Sequence, residues 1–179
     1  MRLFFALPLP EGIARIQTEL RQRAEQQGVV AKWPRPSGLH LTLAFLGEHP
    51  LDLLPALEVI GQEVSEACRA FTLQTAGLGG FPKATAARIL WLGVAPEPAL
   101  DTLSATLRGA LLARHIPFDA KPFRPHITLA RLPGTLDIAP LQGPPCPLGV
   151  PCEGFNLYES LSEPRGSRYQ VVAAFPFTA

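Results

Sequence analysis

With 179 residues, 47% of them apolar and 17% charged, the chain can bury the core of one domain, or of two small lobes that share one. A net charge of +1 argues against a protein that tracks long nucleic acid by neutralising phosphates, though not against recognition of a single phosphate. The three cysteines, Cys68, Cys146 and Cys152, stand at no metal-binding spacing and read as reduced thiols in a cytosolic protein.

In chain order, Leu3–Leu7 is a buried strand, too short for a signal peptide or a membrane span. Pro10-Glu11 opens a helix with Ile13, Ile16 and Leu20 on one face and Gly28 as its stop. Leu39–Leu46 is a strand closed by Gly47, and Leu53, Leu57, Ile60 and Val64 mark a second helix. Phe71–Leu78 is a strand followed by a turn at Gly79-Gly80-Phe81-Pro82, and Ile89–Val94 is a further strand. Leu100, Leu103, Leu107 and Leu111 form the stripe of a third helix, and Ile127–Leu132 is another strand. The Pro- and Gly-rich stretch 133–152 reads as loop with at most one helical turn. Phe155–Leu161 and Tyr169–Phe175 close the chain as a strand pair around Arg165-Gly166. Trp33 and Trp91 are assigned to the core, and His49 and His115 to the surface.

Two of these strands carry nearly the same tetrapeptide, His40-Leu41-Thr42-Leu43 and His126-Ile127-Thr128-Leu129. Strand period 2 puts His and Thr of each on one face and the apolar residues on the other. The spacing, 126 − 40 = 86, also relates Arg2 to Arg88, Pro10-Glu11 to Pro96-Glu97 and Pro36 to Pro122. A strand, a helix and a His-x-Thr strand therefore recur in that order. The expected architecture is α+β: one domain over residues 1–179, built as a two-lobed pseudo-twofold duplication, with antiparallel sheets and flanking helices around a central cleft.

Two imidazoles facing one cleft suit general acid–base chemistry, since a pKa near 6.5 lets one be neutral while the other is charged. Two threonine hydroxyls between them can donate to non-bridging oxygens. That set fits in-line displacement at phosphorus and requires no metal; a strained cyclic phosphate is a natural substrate. The copies differ where Phe45 corresponds to Arg131. Both lie nominally on the opposite face, unless a bulge turns them to the cleft. Arg131 would then hold a phosphate with its fork of donors, while Phe45 would either stack on a base or fill the core.

The segments 39–47 and 124–131 resemble the two signatures of the 2H phosphoesterase superfamily. Within it they look most like the bacterial and archaeal RNA 2′,3′-cyclic phosphodiesterases, historically called 2′-5′ RNA ligases. The resemblance takes in nearly the whole chain, including Arg2–Ala6, Gly80-Phe81-Pro82, Ile89–Gly93, Leu157–Ser160 and Tyr169. It implies hydrolysis of a 2′,3′-cyclic phosphate RNA end to a 2′-phosphate. It gives His40 the role of proton donor, His126 that of proton acceptor, and Thr42, Thr128 and Arg131 the phosphate; the near-symmetry of the residues does not choose between the histidines. It also implies ATP-independent 2′-5′ joining of RNA ends. The Pro-rich segment 133–152 departs from the family pattern.

Other readings are a phosphodiesterase for small nucleotides, such as a cyclic ADP-ribose phosphate or a 2′-5′ oligoadenylate, and an RNA-end binding module without turnover. A histidine metal site is disfavoured, because no nearby carboxylate or cysteine completes a ligand set. The protein is expected to be a cytoplasmic monomer that needs no cofactor, metal or membrane.

Overall fold

The computed structural model describes residues 1–144, 147–164 and 166–178. Cys146, and Arg165 of the expected closing turn, lie outside them. Strand β1 (Arg2–Pro8) has five consecutive buried residues, Leu3–Leu7, and so is covered on both faces. Helix α1 (Glu11–Gln26) follows, then β2 (His40–Glu48), α2 (Leu54–Glu66), β3 (Phe71–Phe81), β4 (Ala87–Val94), α3 (Pro98–Ala113) and β5 (His126–Leu136). The chain ends with β6 (Gly149–Cys152), β7 (Gly154–Glu163) and β8 (Gly166–Pro176). Gly28, just beyond α1, and Gly47, near the end of β2, have positive φ angles of 69° and 81°. Glycine adopts such backbone without strain, which explains the predicted helix stop at Gly28; Gly47, expected to close β2, lies inside it, and the strand continues to Glu48.

The strands form one curled antiparallel sheet in the order β6-β3-β4-β5-β2-β1-β7-β8. It has two four-stranded halves, β6-β3-β4-β5 and β2-β1-β7-β8, joined by the pairing of β5 with β2 at Leu41 and Ile127. The expected separate sheets are thus continuous, and the cleft lies over their junction. Helices α2 and α3 pack together, α3 against β2 and α2 against β7 and β8. Among the described residues, no helix is long and apolar enough to cross a membrane.

Several expectations need correction. Gly79 and Gly80 are not a turn but part of β3, which continues to Phe81. A side chain at Gly79 would collide with the Trp91 ring, and one at Gly80 with Ala87, so these glycines serve close strand approach. The 133–152 stretch does contain the helical turn, Ala139–Leu141, but it also holds the end of β5 and all of β6. Strand β6 tolerates Pro151 because it lies at the edge of the sheet. His115 is exposed as expected, whereas His49 is half-buried, its Nε2 lying 3.1 Å from the Leu46 carbonyl and 3.2 Å from that of Pro117.

Candidate active site

The antiparallel pairing of Leu41 with Ile127, both fully buried, fixes the centre of the molecule. It sets His40 across from Thr128 and Thr42 across from His126 on the opposite, cleft face. Each motif strand then breaks its own alternation. In β2, Ala6 pairs with Thr42 but Phe5 with Ala44, so Leu43 is an extra residue. In β5, Trp91 pairs with Thr128 but Leu90 with Ala130, so Leu129 is extra. These matching register shifts turn Phe45 and Arg131 back onto the cleft face, the outcome a bulge was expected to give. The ladders also place Phe5 and Leu90 in equivalent positions, an offset of 90 − 5 = 85, so β1 and β4 slip one residue from the spacing of the motif strands.

All six predicted residues, His40, Thr42, Phe45, His126, Thr128 and Arg131, line one cavity of about 540 Å³. Each imidazole is anchored alike. Nδ1 of His40 donates to the Gly38 carbonyl at 2.7 Å, and Nδ1 of His126 donates to the Arg124 carbonyl at 2.7 Å. A carbonyl only accepts, so Nδ1 carries the hydrogen in both rings and Nε2 is left to exchange protons.

Aromatic rings wall each imidazole. Phe4 lies 4.8 Å from the His40 ring and Tyr169 meets it edge-on at 4.9 Å. Tyr158 stacks on Phe4 at 5.2 Å and its ring centre lies 6.3 Å from that of His40. Phe81 stands perpendicular to the His126 ring at 4.8 Å, with Trp91 at 6.2 Å. Trp91 and Trp33, assigned to the core, are half-buried: the first adjoins His126 and the second lines the cleft. Phe4, Phe81 and Trp91 were not legible as site residues because buried strands normally carry aromatics.

Burial is the main influence on both histidines and holds their pKa values below the ordinary 6.5. The bond to the Gly38 carbonyl opposes this at His40, and the charge of His126 adds to it. At His126 the Arg124 carbonyl opposes the shift and the Arg131 guanidinium reinforces it. The folded protein therefore binds protons less readily than the unfolded chain, whose histidines titrate near 6.5. This contribution to stability is full above that pH and is lost progressively as pH falls from there through the lower folded values. Melting temperature is expected to hold above about pH 6.5 and to drop as pH is lowered below it, and less steeply in a His40→Phe variant. Equal slopes for the two proteins would refute the buried-histidine origin.

The cleft is electropositive. Arg2, Lys32, Arg35 and Arg131 all border it, although Arg35 also pairs with Glu163 at 3.1 Å. The Arg2 guanidinium sits over the Phe45 ring, 5.1 Å from its centre. Lys32 and Arg131 exchange two backbone hydrogen bonds, Lys32 N to Arg131 O at 2.7 Å and Arg131 N to Lys32 O at 2.9 Å. The loop after α1 is thereby tied to the second motif strand. Two nitrogens that can exchange protons, two hydroxyls and a guanidinium around one pocket can hold a phosphoryl group and move a proton on and off its esters.

Comparison with known proteins agrees with this geometry. Residues 8–157 match the 2′-5′ RNA ligase superfamily. The RNA 2′,3′-cyclic phosphodiesterase of Thermus thermophilus is 35% identical over 183 residues, covering 98% of this chain and 89% of the relative. A crystal structure of a Thermus thermophilus protein superposes with a TM-score of 0.83 at 32% identity, over 99% of this chain and 98% of the other. Escherichia coli LigT complexed with 3′-AMP gives a TM-score of 0.75 at 27% identity, over 99% and 98%. Taken with the paired His-x-Thr strands, these matches place the chain in the 2′-5′ RNA ligase superfamily, to which it belongs.

Proposed function

We propose that the protein hydrolyses 2′,3′-cyclic phosphate ends of RNA to 2′-phosphates without a metal. The observation that carries this is the pair of Nδ1-anchored imidazoles, matched in setting and facing one cleft with Thr42, Thr128 and Arg131. The cyclic phosphate sits between the histidines, its non-bridging oxygens taking donors from the two threonines and from Arg131. Water attacks phosphorus as neutral His126 removes its proton through Nε2. The bond from phosphorus to O3′ breaks, and protonated His40 delivers its Nε2 proton to the departing O3′. The products are a 2′-phosphomonoester and a free 3′-hydroxyl. Solvent then returns a proton to His40 and takes one from His126.

The family resemblance supports that division of roles. Arg131 depresses the proton affinity of His126, as a base in its neutral form requires. The bound phosphate anion, in turn, would raise that of His40 and load it with a proton. The matched register shifts at Leu43 and Leu129 favour an origin of the two motif strands in one duplicated unit. Under this reading the chain is one domain, acting on cytoplasmic RNA as a monomer.

Product analysis on a short RNA ending in a 2′,3′-cyclic phosphate, run with chelator present, is the direct test. A 2′-phosphate product is expected. A 3′-phosphate product, or turnover only of small nucleotides such as 2′-5′ oligoadenylate, would overturn the assignment.

A further inference from the structure

The apolar face of α1 carries one polar residue that the proposed chemistry does not use. Gln17 lies four residues after Ile13 and three before Leu20, on the stripe that faces the core, and is only 4% exposed. A buried amide is costly unless its hydrogen-bonding groups are satisfied. Its Nε2 donates to two carbonyls at 3.0 Å, those of Pro34 and Leu129. Leu129 is the extra residue in β5, where the register shift redirects Arg131 to the cleft. Pro34 belongs to the loop that brings Lys32, Trp33 and Arg35 to the same cleft. The two backbone bonds between Lys32 and Arg131 close a second link between that loop and β5.

The other half has a partial counterpart. On α3, Ser104 is 1% exposed, and its Oγ points at the carbonyl of Leu43, the extra residue of β2, at 3.5 Å. That distance is long for a hydroxyl donor, so the brace there is weaker. Helix α1 thus supports the motif strand of the second half, and α3 that of the first.

We infer that Gln17 is a positioning residue: by holding the Leu129 and Pro34 carbonyls together it fixes the register shift that aims Arg131 at the phosphate. It touches no reacting atom, and its role rests on reading the cleft as a phosphodiesterase site. Removing its amide leaves two carbonyls without this donor and frees the loop to drift from β5. Arg131 then spends less time against the phosphate and against His126.

The test is Gln17→Met, which keeps the length and apolar packing of the side chain but donates nothing. Inorganic phosphate affinity and the pH–rate profile on a cyclic-phosphate RNA end are measured well below the melting temperature. Phosphate affinity and kcat/KM are each expected to fall roughly tenfold, in line with losing charge-assisted bonds to Arg131. The acidic limb of the profile should move to higher pH as His126 escapes the Arg131 charge. Gln17→Asn, too short to bridge both carbonyls, should behave similarly if the methionine variant folds poorly. A lower melting temperature with phosphate affinity, kcat/KM and acidic limb all as in the wild type would make Gln17 merely structural and overturn the inference. Absence of both phosphate binding and cyclic-phosphate hydrolysis in the wild-type protein would instead overturn the functional assignment on which the inference stands.

Discussion

His40→Ala and His126→Ala are each expected to lower turnover of a cyclic-phosphate RNA end by about 10²–10⁴-fold, the usual value of one positioned acid or base. The double variant should be little worse than either single one, because the proton taken and the proton given belong to one displacement. Binding should survive. Thr42, Thr128 and Arg131 remain to hold phosphate, and each lost imidazole is replaced by a small apolar group in an aromatic wall. Steady-state kinetics with inorganic phosphate binding as the companion measurement separate the two effects. Near wild-type turnover in either single variant would eliminate the two-histidine mechanism.

Arg131→Ala is expected to cost roughly 10²–10³-fold in kcat/KM, comparable to removing one preorganised donor from a developing oxyanion. Arg131→Lys should recover part of this, since the charge returns but the planar fork does not. The sign of the accompanying pH effect is fixed by the structure. Arg131 is among the causes that lower the His126 pKa, so removing it lets that pKa rise. The acidic limb of kcat/KM, which reports His126 losing its proton, should shift upward in Arg131→Ala and shift less in Arg131→Lys. An alanine variant with wild-type kcat/KM and an unmoved limb would show that this exposed side chain does not serve the phosphate.

The pairing of each histidine with a threonine was legible in the sequence because it follows from strand period alone. His40 with Thr42, and His126 with Thr128, must share a face wherever the strand goes. Phe45 and Arg131 were harder, since their direction depends on one extra residue in each strand. Leu43 and Leu129 have nothing in their side chains to announce it. The aromatic walls escaped for a related reason: Phe4, Phe81 and Trp91 look like core, and only tertiary packing brings them to the imidazoles. Strand β6 was hidden by Pro151, a residue tolerated there because the strand is at an edge that sequence cannot identify. Gln17 did leave a trace, as the one polar residue among Ile13, Leu20 and Ala24 on the buried face of its helix.

The order of the strands has a consequence for how the molecule can come apart. Strands β7 and β8, the last in the chain, return to lie beside β1, the first, and Tyr169 from β8 forms one wall of the His40 pocket. Meanwhile α1 braces β5 and α3 packs against β2. Each histidine therefore depends on residues from distant parts of the chain. A break anywhere near the middle would strip both strands of their supports together, so the molecule should melt as a single cooperative unit and no fragment should retain half of the activity.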